Sequence, residues 1–158
     1  MSQRDRLTME PHEVLAFLNE GERAHVATIN WDGTPHLVPM SYVVLDGYLT
    51  IWTDPQSRKI TNLRRDRRIT CLVESGATFP EMRAVQLSGW AELSEDADSS
   101  RKVGLALFER ARGELTDEMR AAVDSLVPAR IAVTVHADRV ISWDHRKLPT
   151  VRPDEIGS

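Results

Sequence analysis

Residues 37–53 read L-V-P-M-S-Y-V-V-L-D-G-Y-L-T-I-W-T. Apolar, β-branched and aromatic residues crowd both halves. Asp46-Gly47 between them is the pair that a tight two-residue turn demands, because both of its central positions need positive φ. The stretch therefore reads as two antiparallel strands, residues 35–45 and 48–53. Pro39 places an open edge or a bulge in the first, since proline cannot donate to a ladder. Working upstream, residues 24–30 (A-H-V-A-T-I-N) form another strand, joined through Trp31-Asp32-Gly33-Thr34. Three strands linked by short turns make an antiparallel meander. Before them, residues 11–20 read as a short amphipathic helix with Pro11 in its first turn and Gly21 at its end.

Downstream, Asp54-Pro55-Gln56-Ser57 is a loop ending in a plausible helix cap, followed by a short helix over residues 58–65. Residues 69–74 and 84–93 read as strands, the second with Gly89 as a bulge. Helices are expected over residues 97–112 and 114–126, the first burying Val103, Leu107 and Phe108. Two further strands, 130–136 and 139–143, complete six or seven in all. Strands outnumber crossovers, so closure into a small barrel is the natural way to remove sheet edges. One domain spans residues 1–158, with 1–9 and 149–158 expected to be loose.

Composition narrows the class. Of the 158 residues, 41% are hydrophobic and 28% charged, the balance of a globular chain. A net charge of −4 argues against a nucleic-acid binder. The apolar runs fall short of the roughly 20 residues a membrane helix needs, and the charged N-terminus lacks the apolar core of a signal peptide. A lone cysteine, Cys71, fits a reducing compartment. These features together point to a cytoplasmic protein that binds neither membrane nor nucleic acid.

Few residue patterns carry chemistry. Neither phosphate-loop nor dinucleotide glycine pattern occurs, nor a nucleophile elbow. The five histidines lack metal-ligand spacing, and Cys71 sits inside an apolar strand. What stands out is residues 57–68, S-R-K-I-T-N-L-R-R-D-R-R, which hold one of only three lysines in a chain with 20 basic residues. The free N–H groups of a helix start and the Ser57 hydroxyl converge where the helix dipole favours anions. Lys59 adds a point charge, Asn62 an amide donor one turn on, and Arg58 a reach toward a second anionic group. Spacing alone leaves two readings open: a phosphate cradle, or a solvated basic helix with Ser57 as a mere cap.

The run at 37–53, then S-R-K-I-T-N-L-R-R-D-R-R-I at 57–69, then A-V-Q-L-S-G-W-A-E-L at 84–93 resembles, in that order, the pyridoxamine 5′-phosphate oxidase-like split β-barrel superfamily. The likeness covers about residues 10–148. N-L-R-R-D-x-R and the S-W-D-H-R-K-L ending favour the actinobacterial flavin/deazaflavin oxidoreductases that use coenzyme F420. The resemblance implies a mostly β (α+β), FMN-binding-like split β-barrel with a few peripheral helices. It implies a homodimer with two cofactor sites at the interface, each built from both subunits. Ser57, Lys59 and Asn62 would hold the cofactor phosphate with Arg58 assisting. Pro39, Met40 and Ser41 would lie along the tricyclic ring, and Thr53 would close the pocket. Trp143 and Lys147 would reach the partner subunit's site. Arg64, with Arg65, Arg67 and Arg68, would suit the anionic oligoglutamate tail of F420. One departure stands out: some members carry R-x-K where this chain has Ser57-Arg58-Lys59.

The activity so implied is hydride transfer between reduced deazaflavin and a small conjugated or heteroaromatic substrate. The cofactor carries the hydride, so no acid–base pair is required of the protein. The same fold also admits an FMN-dependent oxidase or reductase, or a non-catalytic flavin or haem carrier.

Overall fold

The computed structural model describes residues 3–149. Two short helices lead in, α1 (Gln3–Leu7) and α2 (Pro11–Glu20), followed by β1 (Arg23–Ile29), β2 (Pro35–Leu45) and β3 (Tyr48–Thr53). Helix α3 (Arg58–Arg65) precedes β4 (Arg68–Ser75) and β5 (Arg83–Ser94). Helices α4 (Ala97–Arg112) and α5 (Asp117–Leu126) then lead to β6 (Ile131–Asp144). The strands close into an antiparallel barrel in the order β1-β2-β3-β6-β5-β4. The mostly β split-barrel architecture with peripheral helices is thus the one the sequence leads to.

The turn that decides the meander has the expected geometry: φ is 53° at Asp46 and 84° at Gly47. Residues 130–136 and 139–143, read as two strands, are one continuous strand β6 that bends at a register shift opposite Ser88/Gly89. Gly89 is the bulge residue, and a Cβ there would fall inside the His136 carbonyl oxygen, so only glycine permits the approach. Residues 1–9 were expected to be loose, yet α1 is helical and Met9 is buried with its N–H donating to Ser142 Oγ at 3.0 Å. Residues 150–158 of the expected loose tail lie outside the described residues.

Alternation along β1 and β4 sends Ala24, Val26 and Thr28, and Ile69, Cys71 and Val73, into the barrel. Phe17 and Leu18 of α2 and Ile60 and Leu63 of α3 join the same core. Tyr42 donates to the Leu18 carbonyl at 2.6 Å at one end of the barrel, while α3 meets the Thr28–Asn30 end of β1 at the other. Each helix therefore plugs one opening. Helix α4 lies outside the barrel over β2, β3 and β6, where Val103 is buried and Leu107 and Phe108 are half-buried. Among the described residues no helix is long and apolar enough to cross a membrane.

Candidate functional site

The β2–β3 ladder runs from Tyr42↔Ile51 to Leu45↔Tyr48 and stops there, whereas β2 pairs with β1 from Pro35 to Ser41. Pro39, Met40 and Ser41 thus lie where β2 is paired on one side only, the open edge that proline requires. Thr53, buried at the end of β3, flanks the same gap, and four residues later the chain reaches Ser57. Pro39 and Ser41 face outward and Met40 packs toward the core. The four ring-side residues named from sequence therefore border one split in the sheet.

At the start of α3 the donors are unspent. Ser57 occupies the N-cap position but makes no capping bond, and its Oγ is buried with no hydrogen-bond partner. The first intrahelical bonds run from Ile60 and Thr61 N–H to the Ser57 carbonyl, leaving the N–H groups of Arg58 and Lys59 without acceptors among the described residues. Lys59 is 8% exposed and forms no ion pair or side-chain hydrogen bond among the described residues. Burial pushes its pKa below the ordinary lysine value, offset in part by the Asp54 carboxylate. A buried hydroxyl, two free N–H groups and a buried cation lacking a bonded counter-ion form a donor set that a phosphate would satisfy. The residues present fit such a group.

Asn62 departs from its expected part. It is 1% exposed, and its amide donates to Thr28 Oγ1 and Asn30 Oδ1, each at 3.1 Å, so both of its N–H bonds are committed to the end of β1 and the residue just after it. It braces the helix rather than offering a donor. The later arginines are likewise engaged. Arg64 pairs with Glu95 at 2.6 Å, Arg68 holds Asp66 at 2.6 Å, and Arg65 donates to the Ile29 carbonyl and stacks over Trp31. The hydrogen bonds from Arg68 push the Asp66 carboxyl down to about 2. Arg58 and Arg67 are the arginines of the run with neither a side-chain hydrogen bond nor an ion pair among the described residues.

Sequence reading missed three participants. Trp31 and His36, on the β1–β2 hairpin, line an open cleft of about 580 Å³ together with Asn30, Asp32 and Arg58. His25 faces outward on β1 opposite Pro39, and its Nδ1 is buried without a partner. Strand alternation in A-H-V-A-T-I-N marks His25 as outward, but only tertiary neighbours show that its nitrogen is stranded. Trp143 is half-buried and paired with Ala84, at the opposite end of β6 from Ile131, the partner of Thr53. At about 3.3 Å per residue roughly 40 Å of strand separates the two ends, so one subunit does not bring Trp143 to Ser57. Lys147, expected to reach across, is tied within its own chain to the Thr8 carbonyl at 2.9 Å and Glu13 at 2.6 Å. Asp144 and Arg146 of the same segment form a bidentate pair that holds the Asp144 carboxyl below its usual range.

A six-stranded antiparallel barrel, split beside a phosphate-sized donor cluster, defines a protein of the split β-barrel class. The model of the pyridoxamine 5′-phosphate oxidase family matches residues 11–144, and the chain belongs to that family. It is 39% identical to the conserved hypothetical protein Rv2991 from Mycobacterium tuberculosis, with 96% of each chain covered and a TM-score of 0.89. An F420 reductase shares the fold at 20% identity and a TM-score of 0.63, over 79% of this chain and 93% of that one. So does HutZ, the heme storage protein from Vibrio cholerae, at 15% identity and a TM-score of 0.66, over 86% and 96%. No curated protein matches the chain by sequence.

Proposed function

We propose that the protein is an F420-dependent oxidoreductase that moves a hydride between the deazaflavin and a small conjugated or heteroaromatic substrate. The observation that carries the reading is the buried, uncompensated donor set of Ser57 Oγ and Lys59 at the start of α3, beside the split at Met40 and Thr53. Ser57, Lys59 and the two free N–H groups hold the cofactor phosphate, and Arg58 assists. Asn62 supports the reading indirectly, by fixing α3 to β1. When bound, the reduced cofactor supplies the hydride; the chain binds, orients and excludes water. Pro39 and Ser41 present the open strand edge to the ring, and the stranded His25 Nδ1 next to them offers its polar edge a hydrogen bond.

The cofactor site is shared between two subunits of a homodimer. Leu37, 63% exposed on the outward face of β2 beside Pro39, supports an interface there. Trp143, outward-facing at the far end of β6, is the contribution to the partner's site, Lys147 being held in its own chain.

Side-by-side titration of the purified protein with F420 and FMN, followed by cofactor fluorescence, tests the assignment. Tighter F420 binding is expected, with oxidation of the reduced cofactor coupled to reduction of a nitroaromatic or enone acceptor. Tighter binding of FMN overturns the choice of cofactor.

A further inference from the structure

Two clefts meet at Tyr48, at the opposite end of β3 from Thr53 and so away from the proposed cofactor site. The first, of about 270 Å³, is a slot between α2 and the barrel rim. Its floor is core: Leu18, Leu49, Leu87 and Val135 are buried, while Leu15 and Val140 at its lip are 44% and 50% exposed. Apart from the Tyr48 hydroxyl, its lining among the described residues carries no polar side chain. The slot lies beside the Gly89 bulge. Ser88 pairs with Arg139 and Gly89 with Ala137, so Asp138 is an extra residue, and β6 bends between Ala137 and Val140, which both line the slot.

The second cleft, of about 250 Å³, lies on the outward face of β3, β5 and β6 and is polar. Its charges are matched within it: Asp46 Oδ2 accepts from Lys102 Nζ at 2.9 Å, and Glu92 Oε2 faces His136 Nε2 at 2.6 Å. The His136 ring is held in place, stacked on Trp90 with centroids 4.1 Å apart and tilted against Tyr48 at 4.8 Å. With Glu92 keeping the proton on Nε2, Nδ1 is left as an acceptor. That nitrogen, the Ser94, Thr134 and Tyr48 hydroxyls, Asp46 Oδ1 and Glu92 Oε1 have no hydrogen-bond partner among the described residues. The cleft thus offers hydrogen bonds of both senses, while two carboxylates with a free oxygen each oppose an anion.

We infer that slot and cleft form one binding site for a small neutral amphiphile, an apolar chain or ring that carries a hydroxyl. The chain lies in the slot against Leu15, Leu18 and Val140, where every methylene it buries leaves water. The hydroxyl crosses the Tyr48 boundary and reaches His136 Nδ1 and the Thr134 hydroxyl. Neither cleft alone has the volume of an ordinary ligand pocket, whereas the two joined do. The change from apolar to polar lining along the site selects the ligand: a carboxylate head meets Asp46 and Glu92, and a pure hydrocarbon leaves the polar half unused. The site binds and does no chemistry, and its occupation leaves Ser57 and Lys59 open.

Titration of 1-octanol, 1-butanol and octanoate at pH 8, followed by methyl and imidazole NMR shifts, tests the site. 1-Octanol should give saturable shifts at the Leu15 and Val140 methyls and the His136 ring, and leave the Ser57 and Lys59 amides unmoved. It should bind at least about tenfold more tightly than 1-butanol, because four methylenes fewer are buried. Octanoate should bind at least tenfold more weakly than 1-octanol, and Glu92→Gln should narrow that gap. Val140→Asp, a change at the exposed lip, should weaken 1-octanol at least tenfold with the folded spectrum retained. Shifts that never saturate, that spare His136, or that survive Val140→Asp overturn the site, as does octanoate binding equal to that of 1-octanol. Shifts of the same methyls that follow protein concentration instead of added alcohol make the slot a contact between copies of the chain, and overturn it too.

Discussion

At Lys59 a stability cost stands against the binding role proposed for it. Its folded pKa lies below the unfolded value of 10.5 because burial disfavours the charge. At neutral pH the ammonium is therefore a destabilising feature of the ligand-free protein, and that penalty fades as pH rises from the folded pKa toward 10.5. Lys59→Met should raise the melting temperature of the ligand-free protein by about 2–4 °C, the shift about 1 kcal/mol produces in a domain of this size. The same change should weaken cofactor binding at least tenfold if Lys59 makes the charge-assisted phosphate contact proposed for it. Melting curves with and without cofactor check both, and the gap between wild type and variant should narrow in alkaline buffer. Cys71 illustrates the opposite case. Burial pushes its thiol up to about 12, so the thiolate is absent at working pH. The native protein should resist an aromatic disulfide reagent at pH 8 and react fully once unfolded.

At the scale of elements, α3 is a short helix made effective by its seat. Ile60 and Leu63 anchor it in the barrel mouth, and Asn62 and Arg65 fasten it to β1. Removing the Asn62 amide strands the buried Thr28 hydroxyl, and a loss of about 1–3 kcal/mol follows from the unsatisfied groups. Asn62→Ala should thus lower the denaturation midpoint and weaken anion binding together, although Asn62 touches no ligand. The β5–β6 pair has its own sensitive point. At Gly89 a methyl group meets the backbone of His136 and Ala137, which cannot swing aside as a side chain would. Gly89→Ala is expected to cost about 3 kcal/mol or more, read from urea denaturation. The sequence marked this glycine as a bulge, but the joining of two expected strands into β6 depends on its cross-strand contact.

For the whole molecule, the question is how the outward face of β1 and β2 is covered. Leu37, Pro39, Ser41 and His25, whose Nδ1 has no partner among the described residues, share that face beside the proposed cofactor site. If the proposed homodimer buries it, Leu37→Arg should give a monomer in sedimentation and reduce cofactor affinity, because half of each site departs with the partner. A dimer unaffected by Leu37→Arg would place the interface elsewhere.

Alternation, turn residues and one proline were enough to specify the meander, the barrel class and the short basic helix after Thr53. These are local properties, carried by neighbouring residues and a period of two or 3.6. The candidate anion site was half legible: Ser57 and Lys59 could be named, yet their standing against a solvated helix could not. Only the tertiary structure decided that residues 57–68 are not a free basic surface. It spends Asn62, Arg64, Arg65 and Arg68 on neighbours 2 to 36 residues away and leaves Ser57, Arg58 and Lys59 unspent. The reason is physical: a residue type states what hydrogen bonds and charges it can offer, but which of them remain free is settled by partners brought together through folding.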